Sequence, residues 1–191
     1  MTDKLCNCAG ARRFTRRGAL AGLGCAGLGA AILGDAPALA KATLSPPRAE
    51  DEGFMRLALA EAAAGDFPFG AVILRAGKVV AKGRNLGIKT NDPTAHGEMV
   101  AIRHFVADHP ADGLKGATIY TTGEPCPMCM SAILWCGFGR VVYAASIEEL
   151  EKRIGQIMVT SREIARAAPF AEIDITGGVI AGEALALFAQ K

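Results

Sequence analysis

The chain has 191 residues, of which 51% are hydrophobic and 21% charged, enough for one globular domain with a substantial core. The formal charge of +2 is carried by the first 40 residues: Lys4, Arg12, Arg13, Arg16 and Arg17 outweigh Asp3 and Asp35, which leaves residues 41–191 at −1. A body without excess positive charge argues against a broad polyanion-binding face, which needs a basic stripe.

The N-terminus has the three parts of an export signal. A basic segment ending at Arg16-Arg17 precedes an apolar run from Gly18 to Gly34, and Ala36-Pro37-Ala38-Leu39-Ala40 offers small residues at Ala38 and Ala40. The arginine pair and the Gly-rich, weakly apolar run resemble the twin-arginine type. The expectation is a signal over 1–40, a mature domain over 41–191 and a periplasmic location. The alternative is an uncleaved anchor, for which the run is short and poor in Leu, Ile and Phe. Cys6, Cys8 and Cys25 leave with the signal, so the mature chain keeps Cys126, Cys129 and Cys136, too few for a disulfide framework.

After a Pro-containing lead-in from Lys41 to Pro47, the spacing of Phe54, Leu57, Ala58 and Ala62 predicts a helix over 50–65. Residues 71–74 and 79–81 read as a hairpin around Ala76-Gly77. Asp92-Pro93-Thr94 predicts a helix from Ala95 to about His109, with Thr94 as N-cap. Thr118 to Thr121 reads as a buried strand, Pro127 opens a helix stopped by Gly137, and Val141 to Ala144 reads as the next strand. Residues 147–167 read as partly helical, interrupted at Gly155. A strand at 172–175 and a helix over 182–189 complete the chain. Alternating elements predict an α/β layered sandwich.

Two short motifs carry chemistry. One is Thr94-Ala95-His96-Gly97-Glu98, and the other is Glu124-Pro125-Cys126-Pro127-Met128-Cys129. His96, Cys126 and Cys129 are three borderline-to-soft donors, which suits Zn²⁺ with the fourth position left to water. Both motifs fall at predicted helix starts, whose positive dipole ends favour thiolates. Glu98, two residues from His96, is placed to take a proton from that water and pass it on. Alone, His-x-Glu occurs by chance on many helices, and Cys-x-x-Cys also serves redox pairs and structural zinc. The combination favours a catalytic zinc over a structural one or a dithiol pair. His104 and His109 read as surface residues and Cys136 as a small apolar side chain.

From Phe67 to Tyr143 the chain resembles the cytidine and deoxycytidylate deaminase superfamily, nearest the branch of guanine deaminases and tRNA adenosine deaminases. The resemblance rests on Pro68-Phe69-Gly70-Ala71-Val72-Ile73, on Asn91-Asp92-Pro93-Thr94-Ala95-His96 with Glu98, and on Glu124 to Cys129 with Ala132-Ile133. It implies a three-layer α/β/α sandwich with a central five-stranded mixed sheet, a zinc cofactor and a homodimer. It further implies that Asn85 hydrogen-bonds the base, that backbone N–H groups at Gly97 and Glu98 meet a ring carbonyl, and that Phe69 and Trp135 wall a purine pocket. The implied reaction is hydrolytic deamination of a small amino-heterocycle, by zinc hydroxide with Glu98 as proton shuttle. A guanine-like base or nucleoside comes first, with cytosine deaminase or tRNA adenosine deaminase as alternatives. A zinc-containing binding module is the non-enzyme alternative. Export and the −1 body charge weigh against tRNA as partner, and no stable membrane span is expected after signal cleavage.

Overall fold

The computed structural model describes residues 42–189. The expected export signal lies outside the described residues. Among those described, no helix is long and apolar enough to cross a membrane.

The strands are β1 (Ala42–Leu44), β2 (Gly70–Arg75), β3 (Lys78–Arg84), β4 (Thr118–Gly123), β5 (Arg140–Ala145) and β6 (Ile173–Thr176). They form one mixed sheet in the order β1-β6-β5-β4-β2-β3. β2 runs antiparallel to β3 and β4, whereas β4, β5, β6 and β1 are mutually parallel. The helices are α1 (Asp51–Ala63), α2 (Gly97–Asp108), α3 (Pro127–Trp135), α4 (Ile147–Glu151), α5 (Ser161–Arg166) and α6 (Ala181–Leu187). The expected five-stranded sheet is present, with β1 added at its edge. The stretch read as a lead-in thus pairs with β6, Thr43 opposite Asp174.

Alternation along the strands builds two cores, one on each face of the sheet. Ala71, Ile73, Ile119 and Val141 face one layer, where they meet Ala101 and Phe105 of α2 and Met130 and Ile133 of α3. Val72, Leu74, Tyr120 and Val142 face the other, against Met55 and Ala58 of α1 and Ala184 of α6. The sandwich is therefore three-layered. The hairpin turns at Ala76 and Gly77, with φ of 48° and 72°, the two left-handed residues of a type I′ turn. At Gly83 a Cβ would overlap the Gly97 carbonyl oxygen and the Ala101 nitrogen, so α2 lies directly against β3 only because that position is glycine.

Two helix starts differ from expectation. Thr94 does not cap α2; His96 holds the N-cap position with extended ψ of 157°. The cause is a turn that forms first. Asp92 Oδ1 accepts the Thr94 N–H at 2.8 Å and the Thr94 hydroxyl at 2.6 Å, and Ala95 N–H donates to the Asp92 carbonyl. The Thr94 oxygen meanwhile accepts from Arg103 Nη2 at 2.9 Å, so it faces Asp92 and Arg103 instead of the helix N–H groups, and α2 begins at Gly97. α3 begins at Pro127 as expected, with Cys126 at its N-cap, and the chain reverses at Gly137 with φ of 73°.

The sheet carries β4 and β5 side by side and parallel, joined through α3. The chain leaving β4 at Gly123 leads within three residues to Cys126, and α2 brings its own N-terminus to the same place. Open parallel sheets bind ligands beyond the carboxyl ends of their strands.

Candidate metal centre and substrate cavity

His96 and Cys126 occupy the N-cap positions of α2 and α3, and Cys129 lies in the first turn of α3. Extended backbone at each N-cap turns the side chain away from its own helix and toward the other. His96 Nδ1 lies 3.7 Å from Cys126 Sγ and 3.6 Å from Cys129 Sγ. All three donor atoms fall within 4.8 Å of one another. A tetrahedral zinc with Zn–S of ~2.3 Å and Zn–N of ~2.0 Å separates nitrogen from sulfur by about 3.5 Å. The donor triangle therefore has the size and the chemistry of a zinc site, and among the described residues it comprises three protein ligands.

The electrostatics favour negative charge in the donor set. A hydrogen bond from the Cys129 thiol, against the opposing effect of burial and helped by His96, lowers the Cys126 pKa to about 4. The same shared proton, together with burial, holds Cys129 above the ordinary thiol value. Contact with Cys126 raises His96, against burial. A cation seated among the three draws both sulfurs to thiolates.

Glu98 sits behind this centre, 7% exposed, in the first turn of α2. Burial raises its carboxyl to a pKa of about 7, although its own backbone N–H and the Cys129 thiol hydrogen-bond to it. Burial thus works against a fixed charge on this carboxyl, the environment in which a proton carrier is tuned.

A cavity of about 750 Å³ opens on His96 and Cys126. Phe67 and Phe69 form an aromatic part of its lining, Asn85 and Asn91 supply amides, and the segment Ile154-Gly155-Gln156-Ile157 contributes a further wall. Among the described residues, no Lys, Arg, Asp or Glu lines it. Asn85 is 5% exposed and held on three sides. Its N–H donates to the Phe69 carbonyl at 2.8 Å, its carbonyl accepts from Asp66 N–H at 2.9 Å, and its Oδ1 accepts the Gly87 N–H at 3.1 Å. The last bond orients the amide and leaves its NH2 end for the cavity. Thr122 Oγ1 accepts the Gly70 N–H at 3.0 Å and donates to the Pro68 carbonyl at 3.2 Å, which fixes the turn that presents Phe69.

Thus His96, Cys126, Cys129 and Glu98 come together, and Asn85 and Phe69 line the adjoining cavity. Gly97 contributes by being small. A Cβ there would stand 2.9 Å from the Phe69 carbonyl oxygen and 3.2 Å from Gly70 Cα, so its hydrogen lets the α2 start press against the β2 start. Trp135 lies apart from them within this chain. It ends α3, nine residues past Cys126 and therefore about 13 Å along the axis. It is 77% exposed, stacks on Phe170 with ring centroids 4.6 Å apart, and does not line the cavity. Sequence reasoning missed the wall at 154–157 and the buried Glu124 beside the cysteines. The Ser146-x-x-Glu149 and Thr160-x-x-Glu163 capping boxes, which start α4 and α5, are the sequence signal that brackets that wall.

Residues 48–145 match the family described as the cytidine and deoxycytidylate deaminase zinc-binding region. The guanine deaminase of Bacillus subtilis is 36% identical over 129 residues, covering 65% of this chain and 83% of that protein. The tRNA-specific adenosine deaminase of Haemophilus influenzae is 42% identical over 101 residues, half of this chain, which spans 58% of that relative. The solved structure of a guanine deaminase from Nitrosomonas europaea superimposes with a TM-score of 0.63 at 27% identity, over 78% of this chain and 85% of that one. With its three-donor zinc site at paired helix starts, the chain belongs to the cytidine and deoxycytidylate deaminase family.

Proposed function

We propose that the protein is a hydrolytic deaminase of an uncharged amino-heterocycle, with a guanine-like purine base or nucleoside as first candidate. The observation that carries this is the lining of the cavity beside the zinc ligands. It is aromatic and amide in character and has no charged side chain to meet a phosphate. His96, Cys126 and Cys129 would hold a zinc ion, which would supply Lewis-acid activation of a water at neutral pH. Glu98 takes a proton at its buried carboxyl and returns it to the substrate. Over the full cycle, water's oxygen replaces the amino group and ammonia leaves. Phe67 and Phe69 exclude bulk water from one side of a flat ring, and the Asn85 amide orients it. A hydrogen bond of this kind discriminates strongly, because a mismatched ring leaves a buried polar group unpaired.

The similarity to a tRNA-specific adenosine deaminase supports a second reading, in which the adenine sits in a nucleic acid. Ammonia release by the zinc-loaded protein separates the two, measured on guanine, guanosine, adenine, cytosine, cytidine and a tRNA anticodon stem-loop. Turnover of a free purine is expected. Turnover of the stem-loop with none of the free bases overturns the small-molecule reading.

The reading extends to export through Arg16-Arg17 and to assembly as a homodimer. N-terminal sequencing and fractionation test the first, with a mature start near Lys41 expected. Sedimentation of the zinc-loaded protein tests the second.

A further inference from the structure

Glu124 lies between β4 and the Cys126–Cys129 turn and is 7% exposed. Its backbone N–H donates to the Ala145 carbonyl at 2.7 Å. Its two carboxyl oxygens go to two different helices. Oε2 accepts the Ile147 N–H at 3.0 Å, and Oε1 accepts the Ser161 N–H at 2.8 Å. Ile147 and Ser161 are the first residues of α4 and α5. Ser161 is fully buried, and its hydroxyl donates to the Pro125 carbonyl at 3.3 Å.

The helix starts need these bonds. A helix leaves its first N–H groups without intrahelical partners. In α4 and α5 the capping boxes supply acceptors for the N–H groups of Glu149 and Glu163 and of the two N-cap residues. The boxes do not serve the N–H at the first helical position, and Glu124 accepts that group in both helices. One side chain thereby anchors Ile147 and Ser161, which bracket residues 148–160, and that stretch carries the cavity wall at Ile154, Gly155, Gln156 and Ile157. Gln156 is the one polar side chain on that stretch, with an amide that can both donate to and accept from a ring edge.

We propose that Glu124 is a positioning residue that ties the 154–157 wall to the metal-ligating turn, and that Gln156, held by that wall, selects the heterocycle. Substrate selection by Gln156 rests on the deaminase reading above; the tie through Glu124 does not. The wall and the zinc ligands are then set by one residue, so their separation is fixed when the two N–H bonds form.

The test uses the full zinc-loaded chain with Glu124→Gln, Glu124→Asp and Gln156→Ala. In Glu124→Gln an NH2 group replaces one acceptor, so one helix-start N–H faces a donor. Expected are one zinc per chain, at least tenfold faster amide hydrogen exchange at Ile147 or Ser161 and across 152–160, and a roughly tenfold rise in KM with kcat within about threefold. Glu124→Asp keeps both oxygens on a shorter stem and should fall between wild type and Glu124→Gln in exchange and KM. Gln156→Ala should change the ranking of heterocycles by kcat/KM while exchange and zinc content stay at wild-type values. Unchanged exchange at both Ile147 and Ser161 in Glu124→Gln overturns the tie, as does zinc loss with the wall still protected. An unchanged ranking in Gln156→Ala overturns the selection role. If the wild-type chain turns over no heterocycle, the deaminase reading fails, and exchange with zinc content still decides the tie.

Discussion

Asp51→Asn should remove several kcal/mol of stability without touching the chemistry. Asp51 and Arg140 form a buried bidentate pair, with both N···O distances at 2.7 Å and side-chain exposures of 0% and 5%. The Tyr120 hydroxyl and the Arg48 N–H also donate to the carboxylate, each at 2.7 Å, and Arg140 donates to Thr176 at 2.9 Å. An asparagine keeps the shape and one acceptor oxygen but removes the charge and turns an NH2 donor toward the buried guanidinium, and breaking such a pair costs about 3–5 kcal/mol. At about 2–4 °C per kcal/mol for a domain of this size, the melting temperature should fall by roughly 6–20 °C. Arg140 opens β5 and Ala145 ends it beside the cysteines, so the pair lies roughly 16 Å from the centre at ~3.3 Å per residue. Below its melting temperature the variant should therefore keep wild-type kcat/KM. Urea unfolding of wild type, Asp51→Asn and the double variant Asp51→Asn with Arg140→Met is the assay. Removing both partners should recover part of the loss, since no buried charge is left unpaired. A single-variant loss under 1 kcal/mol, or a double variant no more stable than the single, would refute the reasoning. The pH dependence has a fixed sign. Burial opposes ionisation of Asp51, but Arg140, the Arg48 N–H and Tyr120 together hold its pKa below the ordinary value. Its contribution is fully present above the unfolded-state pKa of about 3.9 and is lost as pH falls through the lower folded-state value. The gap between wild type and Asp51→Asn should accordingly close at the acid end of the titration.

Glu98→Gln keeps the side-chain volume but cannot carry a proton; turnover should drop by roughly two to four orders of magnitude with zinc content, read by elemental analysis, unchanged. Asn85→Ala should lower kcat/KM by roughly 5- to 150-fold for the preferred heterocycle, and Trp135→Ala by less than about twofold, because Trp135 packs on Phe170 outside the cavity. A tenfold loss in Trp135→Ala would place that ring in the cavity of another copy of the chain. Gly83→Ala puts a methyl group into the backbone of α2 at Gly97 and Ala101, where no side chain can yield; a loss of about 3 kcal/mol or more is expected in the same urea assay.

What the sequence discloses follows from the range over which each signal acts. His96, Glu98, Cys126 and Cys129 are legible because metal ligation fixes residue types at short spacings, and the hairpin at Ala76-Gly77 is legible because two left-handed residues in a row demand a particular turn. The place of Trp135 is hard to read for a related reason. Its spacing from Cys129 is a property of one helix, and the distance along that helix carries it away from the cavity whichever way its ring points. β1 carries three residues, too few for alternation to show, and its pairing with β6 joins positions 42 and 173. Glu124 is adjacent to the cysteines, yet what it holds lies 23 and 37 residues on, at N–H groups that no side-chain pattern encodes. The capping boxes at Ser146 and Thr160 mark where those N–H groups begin, but capping explains only the local end of each helix. That the first N–H of both helices reaches one carboxyl follows from β4 and β5 lying parallel, which brings Glu124 beside Ala145 at the carboxyl end of the sheet. The ligands are therefore written locally, whereas the cavity wall beside them is written in the sheet order.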